Sequence, residues 1–426
     1  MARPLAIASP LCLTVLLCCA LSVAASAQHS NEEYEDYDPW RGFHSPASTA
    51  DSVLVSQFIS ALSSSSSAVC HLTVRSIGNN WGHSAEDHRI GMLADEAHDA
   101  KLRDALGRPI ADPTALSYLA SSLDHQNPCV RRAAARLLGG SRAPDARHLL
   151  GVALREDSPK VREAAALALA HAEDPASFRD LTRALKDRDQ AVVRMAAYAL
   201  GELEDARAVK PLGDLLSSRD AGTRATAAWA LGEIEDIRAV DRLKRLVGDE
   251  DAGVRLAVVE ALGELEDYRG TEALREAISD KDVRVRRAAA HSLGEVEDHK
   301  AAESLVKALD DPDPVVRRLA AQSLGELDGI KRAPARLVAA LGDSDTEMAI
   351  ITAHSLGEIG DTTAVPALAA AYRSDQPRLR YSVVAALAEL EDSRGEAVLS
   401  LASNDRDQIV RHKATEALRD MEDHDD

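Results

Sequence analysis

The sequence predicts an all-α fold, an α-solenoid of stacked helix pairs. Three observations point there. A small-Leu-Gly marker recurs with a period of 31 residues: Gly201, Gly232, Gly263, Gly294 and Gly325 are evenly spaced, and Gly357 follows after 32. Each period holds two segments with their apolar residues on one face. Aromatics make up 3% of the chain and hydrophobic residues 45%, carried mostly by Ala and Leu, a composition suited to close helix–helix contact. Units of this length cannot bury their own apolar faces, so neighbours must stack to share a core.

Residues 1–27 stand outside that pattern. Arg3 precedes an apolar run from Leu11 to Val23, and Ala25-Ser26-Ala27 forms a small-residue cleavage site. This reads as a cleaved secretory signal, with an uncleaved anchor as the alternative. A secreted or periplasmic protein is expected, with no membrane span after cleavage. Cys12, Cys18 and Cys19 leave with the signal. The remaining pair, Cys70 and Cys129, is placed two repeats apart, too far to bridge, so both thiols are expected to be free. Residues 28–51 are acidic and irregular, with Tyr34, Tyr37 and Trp40 among five carboxylates. Residues 52–111 carry a faded marker and read as two degenerate repeats that cap the array. From 112 to 426 the array is regular. The Gly slot holds Gly139 and Ala170 early and Ala388 and Arg419 late, giving ten units.

One unit illustrates the rest. Asp205 is a suitable N-cap for a first helix whose face is Val209, Leu212, Leu215 and Leu216. Ser217 to Gly222 breaks it. A second helix, 223–234, buries Ala228, Leu231 and Ile234. Gly232 lies between two buried positions, so the helix is expected to run through it and the missing Cβ to admit a neighbour; a helix C-cap is the other reading. An extra residue near Gly329-Ile330 and the pair Met348-Ala349 in place of Val-Arg predict the least regular part of the array.

Asp313-Pro314-Val315-Val316-Arg317-Arg318-Leu319-Ala320-Ala321 and its copies, followed by Leu-Gly-Glu, resemble HEAT repeats of the phycobilisome-lyase type over about three quarters of the chain. The resemblance implies a right-handed solenoid whose second helices line a concave wall. It also implies a ladder of Arg–Asp pairs tying adjacent turns together. Arg224, Arg255, Arg286, Arg317 and Arg411 follow Asp220, Asp251, Asp282, Asp313 and Asp407 by four residues, and these are taken as the pairs.

On the second helix, positions seven and three before the Gly and one after it form a stripe. The stripe collects Tyr198, Glu202, Trp229, Glu233, Glu260, Glu264, His291, Glu295, Glu326, His354, Glu358 and Glu389. A row of seven glutamates would hold a negative potential along the groove. These are the candidate binding residues, for a protein partner with a basic surface. The alternative is that Glu only favours helix and wets the surface. The formal charge of −20 disfavours nucleic acid. A monomer without cofactor or metal is expected: His291/Glu295 and His354/Glu358 each supply two ligands and sit two repeats apart.

Phosphate-loop, HExxH and GxSxG motifs are absent. Two enzyme families share such repeats, the phycobilin lyases and the deoxyhypusine hydroxylases, and an enzyme of either type is the alternative function. The hydroxylase iron ligands are His-Glu dipeptides seven and six residues before the Gly. That slot holds Arg194-Met195, Arg287-Ala288 and Arg318-Leu319, while His71 and His412 precede Leu72 and Lys413. A binding scaffold is therefore the favoured function.

Overall fold

The computed structural model describes residues 110–424 apart from 142 and 328, together with helical residues 52, 55, 56, 58–60, 62 and 63. The acidic segment and most of the expected N-terminal cap lie outside the described residues. Every regular element among those described is a helix, in consecutive pairs, and the fold is the expected all-α solenoid. No helix among them is long and apolar enough to cross a membrane.

The chain divides into two compact units, Met1–Ala199 and Leu200–Asp426. The first contains α1 (Pro113–Ser122), α2 (Pro128–Gly140), α3 (Pro144–Ala153), α4 (Pro159–Ala172) and α5 (Phe178–Ala184); α6 (Gln190–Gly201) ends at the division. The second contains α7 (Val209–Leu215), α8 (Ala221–Glu233), α9 (Val240–Leu243), α10 (Ala252–Glu264), α11 (Thr271–Ala277), α12 (Val283–Glu295), α13 (Ala302–Ala308) and α14 (Pro314–Glu326). It continues with α15 (Ala335–Ala339), α16 (Thr346–Ile359), α17 (Val365–Ala371), α18 (Pro377–Leu390), α19 (Ser393–Ala402) and α20 (Gln408–His424). In each unit the second helices stack directly: α2 on α4 in the first, and α8, α10, α12, α14, α16, α18 and α20 in series in the second.

The small-Leu-Gly marker is the stacking contact itself. A Cβ built on Gly232 would lie 3.0 Å from Ala261 Cα, and one on Gly263 would lie 2.5 Å from Ser292 Oγ. The glycine of one repeat thus receives the small residue of the next, while the intervening leucines Leu231, Leu262 and Leu293 are fully buried. The helix does run through the glycine, as expected. At two copies the small residue is a Ser whose hydroxyl also donates to the preceding second helix: Ser292 to the Val259 carbonyl at 3.2 Å, Ser323 to that of Ala290 at 2.8 Å.

Seven of the second helices then stop on a left-handed residue. Glu173, Glu204, Glu235, Glu266, Glu297 and Glu391 have φ between 44° and 52°, and Gly360 takes the same place at 71°. The Glu235 amide donates to the Gly232 carbonyl at 2.8 Å, closing the helix end. One residue on, an Asp opens the next first helix. Asp205 accepts from the Arg207 amide, as its N-cap assignment required.

The Arg–Asp ladder exists, but its partners differ from those expected. Arg224, Arg255 and Arg286 do not pair with the Asp four residues earlier. They pair in bidentate fashion with Asp249, Asp280 and Asp311, the turn of the following repeat. Arg162–Asp187 and Arg380–Asp405 repeat the arrangement. Each guanidinium also holds its own turn, Arg255 through the Asp249 and Glu250 carbonyls. The earlier Asp is occupied as an N-cap: Asp220 accepts from Thr223 and Asp251 from Gly253 and Val254. Arg317 and Arg411 reach carbonyls but make no ion pair among the described residues. The array departs from its pattern where expected, with Gly329 at φ 79° and α15 lacking the 3-10 turn that opens α7, α9, α11, α13 and α17.

Cys129 is disulfide-bonded, which overturns the expectation of two free thiols. That expectation counted helix spacings through 79–111 as a stacked repeat, and a disulfide requires its Cα atoms within about 7 Å. Cys12, Cys18, Cys19 and Cys70 all lie outside the described residues.

Two stability outcomes are expected. The Arg255 and Asp280 side chains are 4% and 11% exposed, so Arg255→Ala leaves a buried carboxylate unpaired and should lower unfolding free energy by about 3–5 kcal/mol in urea melts. Glu235 is exposed and left-handed. Glu235→Gly removes a strain of roughly 1–2 kcal/mol at the cost of about 0.5–1 kcal/mol of chain entropy. A net gain of up to about 1 kcal/mol should show as a higher urea midpoint.

Candidate functional site

The stripe is built from the C-terminal halves of the second helices. In the second unit it runs from Glu202 to Glu389. Its glutamates are half-buried at Glu202, Glu233 and Glu295 and exposed at Glu260, Glu264, Glu326, Glu358 and Glu389. Trp229 is half-buried, with its ring against Gly201: a Cβ there would meet Trp229 Cζ3 at 3.0 Å. Tyr198 is half-buried in the first unit and is not grouped with the others.

The glycine that admits a neighbouring helix also makes room for its glutamate. Cβ atoms on Gly263 and Gly294 would lie 2.6 Å from Glu295 Oε2 and Glu326 Oε2, and Gly325 and Gly357 face Glu358 and Glu389 in the same way. Four successive carboxylates therefore lie back over the preceding repeat. Side chains four residues earlier reach them: Gln322 donates to Glu326 at 2.8 Å, and His291 and His354 Nε2 lie 3.3 Å from Glu295 and Glu358 Oε1. His291 and His354, read from sequence as contacts for a partner, thus already engage the row.

The first stripe position is engaged too. Arg287 pairs with Asp313, and Arg318 with Asp345. These aspartates are N-caps of the following second helix, so the pairs form an additional link between repeats. The Arg287 guanidinium, with the Val315 and Val316 amides, holds the Asp313 carboxyl at about 2.

The glutamates behave oppositely. Partial desolvation of its carboxyl pushes Glu260 above the ordinary range although the residue as a whole is exposed, and the Glu264 charge adds to it. Burial likewise raises Glu295; His291 opposes the shift, and Glu264, Glu266 and Glu326 increase it. Glu358 is raised by burial against His354 and further by Glu326 and Glu389. Neighbouring carboxylates along the row repel one another and give up hydration. Among the described residues no group of three or more His, Cys, Asp or Glu gathers as a metal site.

The sequence reading missed the second Glu of the marker, the left-handed one at 204, 235, 266 and 297. Its signal was present in the copy that carries Gly360 at that place.

A family model described as HEAT repeats matches residues 92–170, 116–201, 146–232, 181–253, 241–325 and 334–419. No curated protein matches the chain. Among solved structures, the chain is similar to an engineered protein at 22% identity, covering 72% of this chain and 98% of that one, with a TM-score of 0.46. It is also similar to YibA of Escherichia coli at 22% identity, covering 57% of this chain and 92% of that one, with a TM-score of 0.41.

A carboxyl whose pKa is higher in the folded than in the unfolded state stabilises the fold below its unfolded value and loses that contribution as pH rises through the folded one. Glu260, Glu295 and Glu358 therefore weigh against folding at neutral pH. Replacing all three by Gln should raise the urea midpoint at pH 7, by up to about 0.5 kcal/mol per site. The difference from the parent should vanish near pH 4. A lower midpoint at pH 7 would identify the row as structural.

Proposed function

Because the chain belongs to the HEAT-repeat family, we propose that it is an exported repeat scaffold of the phycobilisome-lyase repeat type, and that its row of glutamates binds the basic surface of a protein partner. One observation carries this. The row is repeated from Glu264 to Glu389 although the charges of Glu295 and Glu358 oppose folding. A residue kept only for helix propensity or wetting would be cheaper as Gln or Lys, which relieve the repulsion and keep the helix. A cationic surface relieves it from outside.

Charges aligned along stacked helices favour long-range attraction, so the row acts mainly on the association rate. Trp229, the large apolar group at the N-terminal end of the row, supplies contact area that slows release. Export is supported by the leader at 1–27 and by the disulfide at Cys129, a bond that persists in oxidising compartments.

The test is affinity capture from the producing cells' envelope and medium, followed by binding kinetics of the captured partner. The Glu260, Glu295 and Glu358→Gln variant should associate more slowly, with a flatter dependence on salt. Trp229→Ala should leave association unchanged and speed dissociation. Wild-type association and salt dependence in the triple variant would reduce the glutamates to surface residues.

A further inference from the structure

The turns inside the helix pairs are locked. In the 279–282 turn, Asp280 accepts from the Asp282 amide at 2.7 Å and from Arg255, while the Asp280 carbonyl accepts from Arg286. Lys281 is exposed there, but its flanking backbone is held at both sides. The segment 327–334 is different. Its described run from Gly329 to Pro334 is the longest outside helix between residues 110 and 424, six positions against about five in the other turns. It takes the place of the short 3-10 turn that opens α7, α9, α11, α13 and α17. Within the segment Lys331 and Arg332 are adjacent and both exposed.

We propose that the Lys331–Arg332 peptide bond is a processing site for a serine protease that recognises a basic residue. Such enzymes need an exposed stretch that can be drawn out straight, and irregular surface segments offer one without global unfolding. The bond after Arg332 is protected. Ala333 is buried, and its amide donates to Asp361 Oδ2 at 2.8 Å, where Asp361 is itself 7% exposed. Cleavage therefore falls after Lys331. Water adds across the amide, leaving the Lys331 carboxylate and the Arg332 ammonium. The two pieces stay together, because α14 packs on α16 and Arg318 spans to Asp345. The cut lies between Glu326 and Glu358, so it loosens the carboxylate row in its middle without removing a charge.

The experiment is limited trypsin digestion of the native full chain, read by intact mass. Within residues 110–424 the first cut should follow Lys331, and the nicked pieces should co-elute in gel filtration and separate in urea. Lys331→Gln with Arg332→Gln should slow this cut by more than about tenfold while leaving circular dichroism and the melting temperature unchanged. Asp361→Asn should open the second bond, after Arg332. Cuts before residue 110 leave this comparison intact. A first cut in a locked turn, such as after Lys281, an unchanged rate in the double variant, or no cut at all in this region would overturn the assignment.

Discussion

The array depends on how closely two second helices can approach. At Gly232 and Ala261 no side chain longer than a methyl group separates the two backbones. That approach brings the flanking leucines into one continuous core and fixes the step from repeat to repeat. It also explains why the marker reads small-Leu-Gly rather than an arbitrary apolar triplet. The small residue faces backwards into the previous glycine, the leucine fills the core, and the glycine waits for the next small residue. Each letter is defined by a neighbour, so one repeat in isolation satisfies none of them. A helix interior otherwise disfavours glycine by roughly 1 kcal/mol, a cost offset here by the contact it permits.

Packing of small residues is slippery, and the buried Arg–Asp rungs supply the register. A guanidinium that holds two carbonyls of its own turn and both oxygens of the next turn's carboxylate permits one alignment of the two repeats. Buried pairs of this kind contribute little net stability against an apolar substitute, but misalignment strands a charge. At α18 the rung is reinforced: Tyr372 donates to Asp405, the same carboxylate that Arg380 grips, and burial pushes the phenol up to about 12.

The period, the buried leucines, the Asp caps and the place of irregularity were legible in the sequence because each is a local or periodic property. Three of the ladder's arginines, Arg224, Arg255 and Arg286, were legible, but its aspartates and the rungs at Arg162 and Arg380 were not. The Asp four residues before Arg255 is near in sequence and suits an ion pair on a helix surface, yet Asp251 is drawn off to cap the helix, and Asp280, 25 residues away, is brought close only by stacking. The left-handed glutamates were hidden by their own propensity: Glu favours helix, and nothing in Glu-Leu-Glu-Asp announces a reversal except the one copy with Gly360. Cys129 eluded the reading because its pairing depends on a segment whose repeat character had to be assumed. The candidate stripe was legible as a set of positions. That its histidines and arginines already bind within the array required side-chain geometry.

Two kinds of charge run along the same helices with opposite consequences. The aspartates of the turns sit beside guanidiniums and backbone amides, so their ionised form is favoured in the fold, and they bind one repeat to the next. In the stripe, Glu295 and Glu358 are partly desolvated and sit beside other glutamates, so their ionised form is disfavoured. Both recur with the period, but only the first kind is explained by the fold's own needs. The glycine niche explains how Glu295 and Glu326 fit; it supplies no cation that would explain why they are acidic. On the proposed reading a partner supplies the counter-charge, and the row, one carboxylate per stacked helix, sets the spacing that its cations have to match.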